Sequence, residues 1–226
     1  MKLKELLGDP SWLFDLGFPI KPLSKQVPKP SSLEWKLSDE YRLPALNSLS
    51  DVKSFAEFAM GWSDAGLFVQ LSVKSPHGVT SASSVSKRTA IMSVYLDTRW
   101  SPGVHRASMY CHRFELILDR PTSASPMNRG HGELSPIQRA RAAPNPIHPT
   151  DLPVATFLQT DGYTIRTFLR SDVLTGFEPQ EYQDIGVFYS IDDSLAGSQL
   201  LARTRNCPYF EDPSVWCRGK LISNDE

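Results

Sequence analysis

The chain lacks any apolar run near the roughly 20 residues that cross a bilayer as a helix, so no transmembrane helix is expected. Cysteine is scarce: Cys111, Cys207 and Cys217 are an odd number without CxxC spacing. That argues against a zinc knuckle and against a fully paired disulfide framework, leaving one Cys207–Cys217 bridge open. Neither sign of charge dominates, with 24 Lys+Arg against 25 Asp+Glu, so non-specific nucleic-acid binding is not its expected task. There is no Asn-x-Ser/Thr sequon, and the N-terminus has a basic start without an uninterrupted apolar stretch or small-residue cleavage site. No signal peptide is expected, and the cytoplasm is the default location. Gly-x-Ser-x-Gly, His-Glu-x-x-His and a phosphate-cradling glycine loop are all missing, which removes the common motif-based enzyme readings.

What remains is an ordinary globular composition, 40% hydrophobic and 22% charged over 226 residues, consistent with one core. Proline is abundant: its 18 residues lie mostly between the apolar runs and punctuate a loop-rich structure. Residues 3–18 carry an irregular apolar stripe ending near Gly17 and predict a short helix. The segment PIKPLSKQVPKPSS reads as an extended strap across the domain surface. These pieces, 1–34, are expected to pack on a single domain spanning 35–226.

From residue 55 the pattern alternates. FAEFAMGW and GLFVQLSVK flank Ser63-Asp64-Ala65 and Gly66 as a hairpin; TAIMSVYLD and SMYCHRFELILD form a second pair. Residues 119–153 read as one long proline-rich insertion with a helical turn near Ile137–Ala142. VATFLQT and YTIRTFLR flank the turn dipeptide Asp161-Gly162, and IGVFYSIDD, QLLARTR and VWCRGKLI complete the set. About ten strands and almost no helix predict an all-β, two-sheet antiparallel β-sandwich with long proline-rich loops. Alternation of strand direction then puts loop 99–108, the 161 turn and loop 192–199 at one end, with 75–90, the insertion and 171–184 at the other.

The succession GWSDAGLFVQLSV, SVYLDTR, CHRFELIL, DGYTIRTFLRSDVLTGFEP, IGVFYSIDD and DPSVW resembles the family-nine carbohydrate-binding-module-like branch of the DOMON-like β-sandwiches, over about residues 35–222. The run LDTR through CHRF is associated with bacterial members of that branch. The resemblance implies two antiparallel sheets, sugar binding between aromatic rings in the best-known members, and bound calcium in some. The sugar-clamping rings do not carry over residue by residue, because no second ring obviously pairs with Trp100.

The chemically dense stretch is YLDTRWSPGVHRASMYCHRFELIL. Along its second strand His112, Phe114, Leu116 and Leu118 share one face, while Cys111, Arg113 and Glu115 share the other. His112 is therefore expected in the core, and Cys111 and His112 cannot act as a pair. The candidate ligand-binding residues are Arg99, Trp100, His105, Arg106 and Arg113: guanidinium forks match carboxylate or sulfate oxygens, and Trp100 is the tryptophan most open to stacking. The bland alternative is that the arginines pair with Asp97 or other acids and merely fix the turn. Trp62 and Trp216 are expected in the core, and Trp12 and Trp35 as anchors of the strap. His105, His112 and His131 lack ligand spacing, and Asp192 with Asp193 are the best calcium candidates. Residues 97–141 hold seven arginines against four acids, a mild local excess. The expectation is a non-catalytic module for a polar or acidic glycan, with no cofactor except calcium as a candidate and no nucleic-acid or membrane partner. A protein-interaction β-sandwich using the long insertion and the strap is the alternative, and an uncharacterised hydrolase comes third.

Overall fold

The computed structural model describes residues 17–23, 33–44, 54–74, 89–119, 130–202 and 208–223. Residues 3–16 of the expected helix, Trp12 and Cys207 lie outside them. Within them the protein is all-β: β1 (Gly17–Pro22), β2 (Ala56–Ser63), β3 (Gly66–Lys74), β4 (Ala90–Asp97), β5 (Cys111–Leu118), β6 (Gly130–Leu134), β7 (Val154–Gln159), β8 (Gly162–Arg170), β9 (Asp184–Asp193), β10 (Gly197–Leu200) and β11 (Cys217–Leu221). The helical pieces among the described residues are three-residue 3-10 turns. No described helix is long and apolar enough to cross a membrane.

The strands form one hydrogen-bonded path, β6-β5-β4-β9-β11-β1-β2-β3-β8-β7, with β10 beside β9. Two separate sheets were expected; β1 joins them. Gly17–Ile20 pair in parallel with β11, and Lys21 and Pro22 then pair in parallel with β2. What reads in sequence as the start of a surface strap is thus an internal strand, with Ile20 fully buried. Its prolines are tolerated because each half of β1 is paired along one edge only, so a missing N–H need not break a ladder.

The hairpins follow their turn chemistry. Gly66 opens β3 at φ +142°, and a Cβ at Gly162 would lie 1.9 Å from the Val73 carbonyl oxygen, so the β7–β8 turn can approach β3 only as glycine. Across the core, Phe58 of β2 stacks on Tyr189 of β9 at 4.6 Å. The Tyr163 hydroxyl of β8 donates to Asp193 of β9 at 2.9 Å. The Gln199 side chain of β10 accepts from the Phe55 and Ala56 amides and donates to the Ala56 carbonyl. At the two ends of the path β6 packs on β7: a Cβ at Gly132 would meet the Leu152 side chain at 2.6 Å. A smaller outer core forms where Leu33, Leu37 and Tyr41 cover Phe68 and Phe168, and Trp35 stands edge-on to Phe68 at 5.4 Å, an anchor as expected. Trp216 is fully buried, while Trp62 is half-buried and donates to the Ile222 carbonyl.

The expected grouping of loops is corrected by β6. The segment 119–153 is not one insertion: Gly130–Leu134 pair antiparallel with β5 and carry the chain from one end of the strands to the other. One unseen strand inverts the direction of the strands from β7 to β10. Loop 98–110 therefore shares its end with 171–183 and 135–153, whereas the 160–161 and 194–196 turns lie at the opposite end.

Candidate functional site

Loop Thr98–Tyr110 closes the β4–β5 hairpin, its base fixed by the Thr98 amide donating to the Tyr110 carbonyl at 3.1 Å. Asp97, buried at the end of β4, accepts from the Arg99 amide through one carboxylate oxygen and from the Ser101 amide through the other, both at 3.1 Å. Burial raises its carboxyl from the ordinary value, and the two amides oppose that shift. Between those amides Trp100 is held at φ +30°, backbone that L-residues seldom adopt and that persists only where the surroundings over-determine it. Its ring lies against Gly186 at the start of β9, where a Cβ would come 3.3 Å from the indole.

Arg99 reaches across to the segment after β8. Its Nε donates to the Gly176 carbonyl at 3.1 Å and an Nη to Glu178 at 3.1 Å. The guanidinium carbon lies 5.0 Å from the Tyr110 ring centroid and 3.8 Å from that of Tyr182. Arg–aromatic stacking of this kind is worth about 0.5–2 kcal/mol depending on desolvation. Gly176, at φ +77°, makes the approach feasible, because a Cβ there would fall 2.4 Å from Tyr110. The same turn is tied down by the Thr98 hydroxyl, which donates to the Thr175 carbonyl at 2.7 Å, and by the Asn145 amide, which donates to the Thr175 hydroxyl at 2.9 Å.

The other predicted residues point elsewhere. β10 and β11 share the edge of β9 away from β4, one along Ser190–Asp193 and the other along Asp184–Val187. Residues 208–216 lie over the outer face, where Tyr209 stacks on Phe188 at 4.8 Å. This excursion carries Asp212 and Ser214 to the exposed His105. The Asp212 carboxylate and the Ser214 hydroxyl each lie 3.0 Å from the same nitrogen, Nδ1, and Ser214 donates to Asp212 at 2.6 Å. A Ser-His-Asp relay needs the two partners on opposite ring nitrogens, so this trio fixes a loop and does not activate the serine. Arg106 donates to the Arg139 carbonyl at 2.9 Å. Arg113 faces outward on β5, paired with Glu115 and 5.8 Å from the Tyr95 ring centroid.

His112 sits in the core, as its strand face requires. It is fully buried, stacks parallel to Phe114 at 5.6 Å, and its Nε2 accepts from the Thr175 amide at 2.9 Å. That bond assigns the neutral ring's proton to Nδ1. Burial lowers its pKa to about 4, and burial raises the neighbouring Cys111 thiol to about 12, which leaves the latter unreactive. Asp192 and Asp193 diverge: Asp192 is exposed and accepts from Ser198, whereas Asp193 is buried and accepts from the Leu195 and Ala196 amides and from Tyr163. Among the described residues no three His, Cys, Asp or Glu side chains group as a metal site.

Arg99 thus shares one constellation with Tyr110, Tyr182 and Gly176, while Trp100, its neighbour in sequence, packs separately on Gly186; His105 and Arg106 serve neighbouring loops, and Arg113 a different face. Tyr182 and Gly176 escaped the sequence reading because 171–184 was assigned to the other end. The only sequence signal for them was the one that reveals β6, and GHGEL lacks the β-branched alternation of a strand.

No protein-family model matches the chain, and no curated protein matches it. Its fold is that of solved carbohydrate-binding modules. A family 9 module from Caldicellulosiruptor kristjanssonii in complex with cellotriose has a TM-score of 0.56 at 15% identity, covering 93% of this chain and 96% of the other. The same kind of module from that organism in complex with glucose gives 0.55 at 14% identity, covering 92% and 97%. A Bacteroides uniformis protein gives 0.51 at 8%, covering 91% and 99%.

Proposed function

We propose that this chain is a non-catalytic carbohydrate-binding module whose ligand meets the strand end carrying Arg99, Trp100, Tyr110 and Tyr182. The observation that carries the reading is the Arg99 guanidinium stacked on Tyr110 and Tyr182, on a loop that also carries Trp100, at one end of a fold used by sugar-binding modules. Sugar rings stack on aromatic faces, and a planar fork of donors orients hydroxyl oxygens. Of the polar and acidic glycans first considered, the polar, uncharged ones fit better. Three basic side chains at this end already face acids, Arg99 with Glu178, Arg139 with Glu211 and His105 with Asp212, while Arg106 is spent on the Arg139 carbonyl. Calcium plays no part in this reading, and affinity is expected to survive a chelator.

Calorimetry with cellotriose and with an acidic oligogalacturonide tests it, on wild type, Trp100→Ala and Arg99→Ala. Measurable affinity for the neutral sugar that falls at least tenfold in both variants supports the reading. Equal affinity in all three proteins, or none for either sugar, overturns it. A protein-interaction reading on a surface other than the insertion and the strap is favoured by exposed Ile91 and Leu195 near a depression of about 450 Å³ lined by Ile91, Ile117, Asp192 and Ser198 at the opposite end.

A further inference from the structure

Behind the site side chains, one hydrogen bond from the sheet joins the core packing of Val173, Leu174 and Phe177 in holding the turn they share. Thr175-Gly176 is where three separate pieces of chain meet: Thr98 through its hydroxyl, Arg99 through Nε, and Asn145 through its amide. All three bonds leave the turn on the side of the loops. The bond that holds it to the sheet itself runs from the Thr175 amide to Nε2 of His112. The imidazole can accept there only while neutral; once Nε2 is protonated, two N–H groups face each other at 2.9 Å and the bond becomes a repulsion.

We infer that His112 is the positioning residue of the site, and that its protonation releases the Thr175-Gly176 turn, and with it Arg99 and Tyr182, from the binding geometry. This rests on the sugar-binding reading of that end, which acid would then switch off. The surroundings disfavour the charged ring. The ring stacks on Phe114, and across β4 its partner is Leu96, an apolar side chain. The nearest charged groups on each packed element are otherwise directed: Asp97 of β4 pairs in register with Cys111 and is held by backbone amides, Arg113 of β5 points to the outer face, and Glu178 beyond the turn meets Arg99. Among the described residues none of these charges perturbs the imidazole, whose ionisation is governed first by burial and whose Nδ1 is buried without a hydrogen-bond partner.

The test uses the full chain, ¹⁵N-labelled, titrated from pH 7 to pH 3.5 by NMR. At neutral pH the His112 nitrogens should report the Nδ1–H tautomer. As His112 titrates, hydrogen-exchange protection of the Thr175 amide should fall roughly tenfold or more while that of Val69 in β3 persists, which separates local release from unfolding. His112→Gln keeps an acceptor near Nε2 without titrating, so it should hold Thr175 protection and its cellotriose affinity across the range in which wild type loses both. Thr175 protection that survives protonation of His112 in wild type overturns the inference, and that outcome needs no variant to fold. An unchanged acid response in His112→Gln overturns it as well. Loss of Thr175 protection in a protein that binds no cellotriose at any pH overturns the sugar reading and leaves the positioning role standing.

Discussion

Arg166 and Arg99 both lie over aromatic rings, and they do opposite work. Arg166, on the outer face of β8, is 6% exposed: its Nε donates to Gln70, one Nη donates to the Leu33 and Glu34 carbonyls, and its guanidinium lies 4.2 Å from the Phe157 ring centroid. Arg99 also stacks and also donates to a backbone carbonyl, but its aromatic partners are loop residues at the end of the strands and its acid partner Glu178 is exposed. The same side-chain chemistry is a staple when the chain closes over it and a presentable donor when only loops surround it. What separates the two is whether segment 33–37 lies on top, as it does over Arg166.

The comparison is broken most strongly at the staple. Arg166→Met keeps the length of the side chain but leaves two carbonyls short of a donor, so stability should fall by about 3 kcal/mol in urea denaturation, while affinity at the far end stays unchanged. A similar loss should come from pH alone at His112. Its folded pKa of about 4 lies below the ordinary 6.5, so the unfolded chain takes up the proton first. Stability is therefore full above pH 6.5 and declines as the pH falls to 4, by about 3 kcal/mol. Asp97, raised by burial, acts with the opposite sign. Denaturation midpoints at pH 7, 5.5 and 4 should show the decline in wild type and a flatter curve in His112→Gln.

Gly176→Ala strains a positive-φ turn and pushes on Tyr110, so a loss of about 1–2 kcal/mol in stability should come with a larger proportional loss of cellotriose affinity by calorimetry. The mildest effect on folding is expected at Arg99→Lys, under about 1 kcal/mol by the same denaturation assay, because the pair with Glu178 is partly solvated. Affinity should nonetheless fall there, since a point charge cannot replace a stacked fork. If Arg99→Lys proved as destabilising as Arg166→Met, Arg99 would be a second staple and the distinction would collapse.

Much of the fold was legible residue by residue. Leu67, Val69, Leu71 and Val73 alternate and lie in the main core, and Ser63–Gly66 and Asp161-Gly162 mark turns where the structure has them. The core position of His112 and the outward face of Arg113 also follow from a period of two. β1 and β6 did not show: one is proline-rich and the other glycine-rich, and each forms because a neighbouring strand edge is vacant, a property of the partner rather than of the segment. Of the proposed site, residue type alone singles out Arg99 and Trp100. It does not single out Tyr110, Tyr182 and the seats at Gly176 and Gly186, because nothing local distinguishes a loop tyrosine that meets a guanidinium from one that does not.

The sequence by itself determined an all-β chain, the faces of its strands and the loop where aromatic and guanidinium groups concentrate, because alternation and turn chemistry act over a few neighbouring residues. Only the tertiary structure decided which loops share an end, since strand direction is cumulative and a single unrecognised strand reverses it. It also decided which of two stacked arginines is enclosed, because burial depends on chain that is more than a hundred residues away in sequence, as Leu33 is from Arg166.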